Sequence, residues 1–231
     1  MTNMLLQINL NNAEGLPPVE ELTELKLSFL ELALKGGWIM VPILLLSIIA
    51  IYIFFERYFA IRNASREDDN FMNMLKDYIA DGKIDSALNL CKSTNGIVAR
   101  MIEKGISRLG KSLGDINAAI ENVGKQEIAK LEKGLPTLAT TAGGAPMIGF
   151  LGTVMGMIQA FYKMSTAGSN IDVSLLSEGI YQAMVTTVAG LAVGIVAYFA
   201  YNYLVARIEK VVNRLESRTT EFMDLLNEPA K

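Results

Sequence analysis

The chain of 231 residues has no histidine and a single cysteine, Cys91. Without histidine there can be no Ser-His-Asp triad and no histidine-ligated metal site. One cysteine excludes an intrachain disulfide and a thiolate cluster. Basic charge is also not in excess. Lys and Arg number 21 against 24 Asp and Glu, a net charge of −3, which gives no support for a nucleic-acid partner. The first basic residue is Lys26. No basic segment precedes an early apolar run, so no cleavable signal peptide is expected. Charge is missing altogether from three stretches, Gly36–Phe55, Gly134–Tyr162 and Gly179–Ala206, of 20, 29 and 28 residues. The mean hydropathy of +0.31 is therefore the average of two phases, with every charged residue outside these stretches.

What fills the charge-free stretches is mostly apolar. Each is long enough to cross a hydrocarbon core of about 30 Å, which takes ~20 helical residues. The sequence predicts an all-α integral membrane protein with three transmembrane helices. Residues 57–133 carry 13 Lys and Arg, the 163–178 loop carries one, and Arg207, Lys210, Arg214 and Arg218 follow the third stretch. The positive-inside bias then places the N-terminus outside and the C-terminus inside. The expected organisation is an N-terminal tail with an amphipathic outer-surface helix (1–35), a first span (36–56), a cytoplasmic helical region (57–133), a second span (134–162), a periplasmic loop (163–178), a third span (179–206) and a cytoplasmic C-terminal helix (207–231). The surface helix follows Pro17-Pro18, with Leu22, Leu25, Phe29 and Leu32 on one stripe and Gly36-Gly37 as its stop. A solvated helix packed on a partner is the other reading of that stripe. Trp38 and Tyr58 bracket the first span as interfacial aromatics.

Residues 65–112 read as short helices. Ser65 and Asp68 suggest a capping box. A stripe of Phe71, Met74, Leu75, Tyr78 and Ile79 follows, then a turn at Asp81-Gly82, a helix over Asp85–Cys91, and a third helix carrying Ile97, Val98, Met101, Ile102, Ile106 and Leu109. There is no strand signal. From Asp115 the helical pattern of Ile116, Ile120, Val123, Ile128, Leu131 and Leu135 meets no strong breaker before Gly143-Gly144-Ala145-Pro146. One unbroken rod of roughly 70 Å is expected to run into the second span. The third span continues through Val211, Val212, Leu215 and Phe222, so two long helices should extend from the membrane as a cytoplasmic stalk.

Gly105-Ile-Ser-Arg-Leu-Gly110-Lys111-Ser112 matches the phosphate-loop pattern GxxxxGK[ST]. That chemistry needs a strand before the loop and a helix after it, so that free backbone N–H groups cradle phosphate. Here the preceding segment has helical periodicity and internal charges at Arg100, Glu103 and Lys104. The match is read as a helix end with Gly110 as its cap, and no nucleotide site is expected.

The spans differ in character. Span two has Ala145, Gly149, Gly152, Gly156 and Gln159 at spacings of three and four, and span three has Thr187, Gly190, Gly194, Ala197 and Tyr201. Small residues on one face let transmembrane backbones approach closely. These faces are expected to meet neighbouring subunits or a pore. Span one has no glycine between Trp38 and Phe55 and reads as lipid-facing. Polar residues within the apolar stretches include Thr140, Thr141, Thr153, Gln159, Gln182, Thr186 and Thr187. A single intramembrane threonine usually bonds to its own helix. Two deep ones, Thr153 and Thr187, both on the glycine-bearing spans, could instead line a polar path. No ionisable acid, base or histidine lies within any span, so a proton relay needs a carboxylate from another chain.

The run Ala145-Pro146-Met-Ile-Gly149-Phe-Leu-Gly152-Thr153-Val-Met-Gly156, with Gly179-Ile180 through Ala183-Met-Val-Thr186-Thr187-Val-Ala-Gly190-Leu191, resembles the signature of the MotA/TolQ/ExbB proton-channel family. The ExbB/TolQ branch is the better match, because MotA-type subunits have four spans. The resemblance implies a bacterial inner-membrane protein, multi-pass, that forms a homopentamer with spans two and three around a pore. It further implies single-span ExbD/TolR-like partners carrying an intramembrane Asp, and work passed to a TonB- or TolA-like protein. By the same resemblance Thr153 and Thr187 stand at the pore threonines, with Thr186 and Gln182 along the ion path. Pro146, Gly149, Gly152, Gly156, Gly190 and Gly194 shape the helices. Gln182 stands where the family often has Glu. Membrane lipids are expected partners; no cofactor, no metal and no enzymatic activity are expected. Two other classes predict different features. A secondary transporter usually shows repeated halves and broken helices, which three spans without a repeat do not provide. A structural membrane scaffold would leave Thr153 and Thr187 freely replaceable.

Overall fold

The computed structural model describes residues 36–65, 70–166 and 173–227, with no strand among them. Seven helices follow in order: α1 Met40–Ala64, α2 Phe71–Ala80, α3 Ile84–Ser93, α4 Ile97–Ile106, α5 Leu113–Glu132, α6 Leu135–Thr166 and α7 Val173–Asn227. The expected surface helix within 1–35 and Asp68 lie outside the described residues.

Three helices are long and apolar enough to cross a membrane. Within their most apolar windows, 22%, 28% and 28% of the residues are buried. Most of each helix surface is therefore left for lipid or for other chains. Large side chains such as Leu44, Ile48, Phe150, Phe161, Val188 and Phe199 stand exposed there, as a hydrocarbon solvent permits.

Residues 71–132 fold into four helices that share one core with the end of α7. On α7 the buried positions Leu204, Ile208, Val211, Leu215 and Phe222 recur at helical spacing and meet Phe71, Leu75, Ala87, Ile97, Ile102, Ile116 and Ile120 in one apolar cluster. The expected stripe on α2 is rotated slightly: Phe71, Met72 and Leu75 are buried, whereas Met74 is exposed. Ser65 does not open α2. It caps α1, its hydroxyl donating to the Ile61 carbonyl at 2.9 Å, and Asn70 precedes α2 instead.

The long rod is interrupted. α5 ends at Glu132 and α6 begins at Leu135. Between them Lys133 leaves the helical region (ψ 126°), and Gly134 adopts φ +88°, a conformation that costs a residue with a Cβ roughly 1–2 kcal/mol. Breaking the helix frees carbonyls in the last turn of α5. Arg57, nearly buried, reaches across from α1 and donates from Nη1 to the Lys130 carbonyl at 2.8 Å. The stalk thus comprises α5, joined to α6 through a break, and the uninterrupted α7.

The Gly105–Ser112 segment has the geometry of a helix end. Gly105 lies inside α4, where an added Cβ would stand 2.8 Å from Ile120 Cδ1 and 2.9 Å from Phe222 Cε1. Gly110 takes φ +89° in the turn. Ser112 is the N-cap of α5, its Oγ accepting from the Asp115 N–H at 3.2 Å. The Ser112 hydroxyl is thus committed to a cap, and no strand precedes Gly105 among the described residues.

Candidate functional site: the α6–α7 helix pair

The backbones of α6 and α7 approach closely, and small residues allow it. Gly149 lies where a Cβ would meet the Thr186 carbonyl at 2.8 Å and Gly190 Cα at 3.2 Å. At Gly190 the nearest atom would be the Ala145 carbonyl, at 2.5 Å. Gly156 faces Ala183 and the Gly179 carbonyl, each 3.0 Å from an added Cβ. These obstacles are largely backbone, which cannot move aside. The expected small-residue faces therefore pack against each other within one chain, rather than facing a neighbouring subunit or a pore.

Pro146 lies inside α6 and leaves the Ala142 carbonyl without its helical donor. Gly194 sits against this feature: a Cβ there would meet Pro146 Cγ at 2.5 Å and the Ala142 oxygen at 2.9 Å. Gly143 and Gly144, just before the proline, have open space around them.

The threonines occupy three different settings. Thr186 is 1% exposed and lies in the hollow left by Gly152, where a Cβ would stand 2.4 Å from Thr186 Oγ1. Its hydroxyl donates to the Ala183 carbonyl at 2.8 Å and lies 3.4 Å from the Gly149 carbonyl. Thr187, half-buried, donates across the helix pair to the Gly149 carbonyl at 3.2 Å. Thr153, also half-buried, donates to the Phe150 carbonyl of its own helix at 2.6 Å. A hydroxyl has one proton and two lone pairs. With their protons donated to carbonyls, Thr153 and Thr187 both present acceptor oxygens. Gln182 is set apart from them, its side-chain amide lying against Gly37 just before α1.

Two charged groups outside the spans were legible only as surface charge. Arg57 is the brace of the α5–α6 break. Glu127, 9% exposed, receives Arg100 Nη2 at 2.8 Å and Lys130 Nζ at 2.7 Å. Burial pushes its carboxyl pKa up, but the hydrogen bonds and charges of Arg100 and Lys130 outweigh burial and leave it lowered. Burial, with help from Glu103, pushes the Cys91 thiol up to about 12, so it is unreactive near neutral pH.

A close-packed pair of glycine-rich helices whose apolar spans carry hydroxyls but no Asp, Glu, Lys or Arg, beside a third apolar helix, has the make-up of a multi-pass membrane protein. The chain belongs to the MotA/TolQ/ExbB proton channel family, whose model matches residues 93–217. The Tol-Pal system protein TolQ of Haemophilus influenzae is 30% identical over 230 residues, covering 89% of this chain and 96% of that protein. An ExbB-like protein of Synechocystis is 31% identical over 75% of this chain and 69% of its own length. An ExbB homolog of Methanothermobacter thermautotrophicus is 29% identical over 81% of this chain, which spans 66% of that protein. Three apolar helices and this family make it a multi-pass inner-membrane protein.

Proposed function

We propose that this chain is the ExbB/TolQ-type subunit of an ion-driven inner-membrane motor. In this reading five copies surround a pore, single-span ExbD/TolR-like chains inside it each supply an Asp, and the work passes to a TonB- or TolA-like protein. The observation that carries the reading is the placement of two acceptor hydroxyls, Thr153 and Thr187, on the two close-packed helices, with no charged side chain within either span. A partner carboxylate or a passing ion needs such oxygens to avoid the full cost of dehydration. Thr186 is assigned to packing, because its oxygen is enclosed between the helices. The path carries H⁺ or Na⁺, since hydroxyl oxygens serve either.

Valine keeps threonine's shape and removes the hydroxyl. Thr153→Val and Thr187→Val are expected to leave expression and partner assembly intact while abolishing energy-dependent uptake or motility. Gln182→Ala, at the end of the pair nearest Gly37, should give a partial defect. Transport assays in cells carrying each variant, with co-purification of the partner as the assembly control, make the measurement. Full activity in both valine variants would leave a structural scaffold as the better reading.

A further inference from the structure

The geometry points to a binding site for one anionic phospholipid between α1 and α7, with an acyl chain in the apolar groove of Ala50 and Ala197 and the headgroup phosphate on Arg62 and Arg207.

The groove encloses about 850 Å³. Small side chains at Ala50, Ala192, Ala197 and Ala200 leave its floor empty, and Phe55 and Phe199 stand among its walls. Its mouth is open: Ile51, Phe55, Val196 and Phe199 are each more than half exposed. At the end toward the charged region, Tyr58 and Tyr203 close it, their rings stacked with centroids 6.4 Å apart. Interfacial tyrosines mark the headgroup level of a span.

One helical turn beyond each tyrosine stands an arginine, giving Tyr58–Arg62 on α1 and Tyr203–Arg207 on α7. A second cavity of about 140 Å³ lies here, lined by Tyr58, Ile61, Arg62, Ser65, Leu204 and Arg207. Tyr58 lines both cavities, so the apolar and basic parts are contiguous. Among the described residues no carboxylate lines either one. Tyr203 orients the Arg207 guanidinium, its Oη accepting from Nη2 at 2.9 Å and from Nε at 3.2 Å. Arg62 makes no ion pair among the described residues, and the nearby Glu56 is paired with Arg57. Two guanidinium groups at headgroup level, capping an apolar slot between helices, fit a phosphate with acyl chains attached. A helix from a second copy would fill the slot but leave this paired positive charge unanswered.

The inference is independent of the ion path, because neither Thr153 nor Thr187 lines the groove or the basic cavity. The test uses the full chain, purified as its native oligomer and reconstituted with phosphatidylglycerol and phosphatidylcholine of identical chains. Retained lipid per chain is counted by native mass spectrometry. Two basic side chains at an anionic headgroup should give roughly a thirtyfold preference for phosphatidylglycerol. Arg62→Gln with Arg207→Gln should abolish the preference, and the Lys pair should keep most of it. Val196→Trp, which fills the mouth of the groove and leaves the arginines in place, should lower retention of both lipids. Equal retention of the two lipids by the wild type would overturn the proposal, as would a preference that survives in the Gln pair. So would a Val196→Trp protein that keeps its lipid, or inorganic phosphate displacing the lipid at millimolar concentration, which would mark a simple anion site.

Discussion

Thr186 and Thr187 are neighbours in sequence, yet their surroundings differ because α7 is turned about its axis by the glycines it must bury. Gly179, Ala183, Thr186, Gly190, Gly194 and Ala197 form one stripe, and whichever threonine shares it is sealed against α6. Reading the stripe from Thr187 places it one residue out of phase; including Gly179 and Ala183 sets the phase correctly. Glu127 is a buried carboxylate outside the membrane, held by Arg100 and Lys130. Its folded pKa lies below the ordinary value of 4.5, so its contribution is complete above that value and is lost as pH falls through the lower folded one. The side chains of Arg100 and Lys130 are 48% and 69% exposed, and solvent discounts the pairing. Glu127→Gln should therefore cost roughly 1 kcal/mol at pH 7. In thermal unfolding of the detergent-solubilised protein, the gap between wild type and variant should narrow as pH falls below the ordinary carboxyl value of 4.5. A gap that stays constant with pH would mean Glu127 acts through shape alone.

Helix existence was written in the sequence more plainly than helix ends. Charge-free runs and periodic apolar residues are signals that repeat over many positions, and a long apolar helix covers most of each of the three runs. The break before α6 rests on two residues. Gly134 ends α5 in the left-handed region, and Pro136 opens the first turn of α6, where its missing N–H costs nothing. Those residues sit at the start of an apolar run, so they read as its beginning. Arg57 could not be found from sequence, since its role depends on where α5 happens to end in space. The α6–α7 pair carries its own test. Gly190→Ala puts a methyl against the Ala145 carbonyl and should cost roughly 1–3 kcal/mol. Gly143→Ala, in open space, should be neutral or favourable by up to about 1 kcal/mol. Because the contact lies within one chain, the Gly190 penalty should not change on dilution, unlike an intersubunit effect. Unfolding curves at two protein concentrations decide this, and a penalty that grows on dilution would relocate the glycine stripe to a subunit interface.

At the scale of the whole molecule, the core formed by residues 71–132 and the last turns of α7 constrains topology. Phe71, Ile102, Ile120 and Phe222 share one apolar cluster, so the region between the first two spans and the segment after the third lie on the same side of the membrane. The side is expected from charge to be the cytoplasm, with 13 Lys and Arg in residues 57–133 against one in 163–178. Retaining positive charge on the cytoplasmic side is the strongest topological bias a short loop carries. Direction matters to the proposed motor, because the field supplies about 2.3 kcal/mol per elementary charge per 100 mV only to an ion crossing the right way. Reporter fusions after Lys111 and after Asn227 should both behave as cytoplasmic, and one at Ser169 as periplasmic. Agreement between the first two tests the shared core; disagreement would mean that α7 does not return to the bundle. If all three were reversed, the core would stand but the ion would meet Gln182, near Gly37, from the cytoplasm, and the motor would have to draw its work from the opposite gradient.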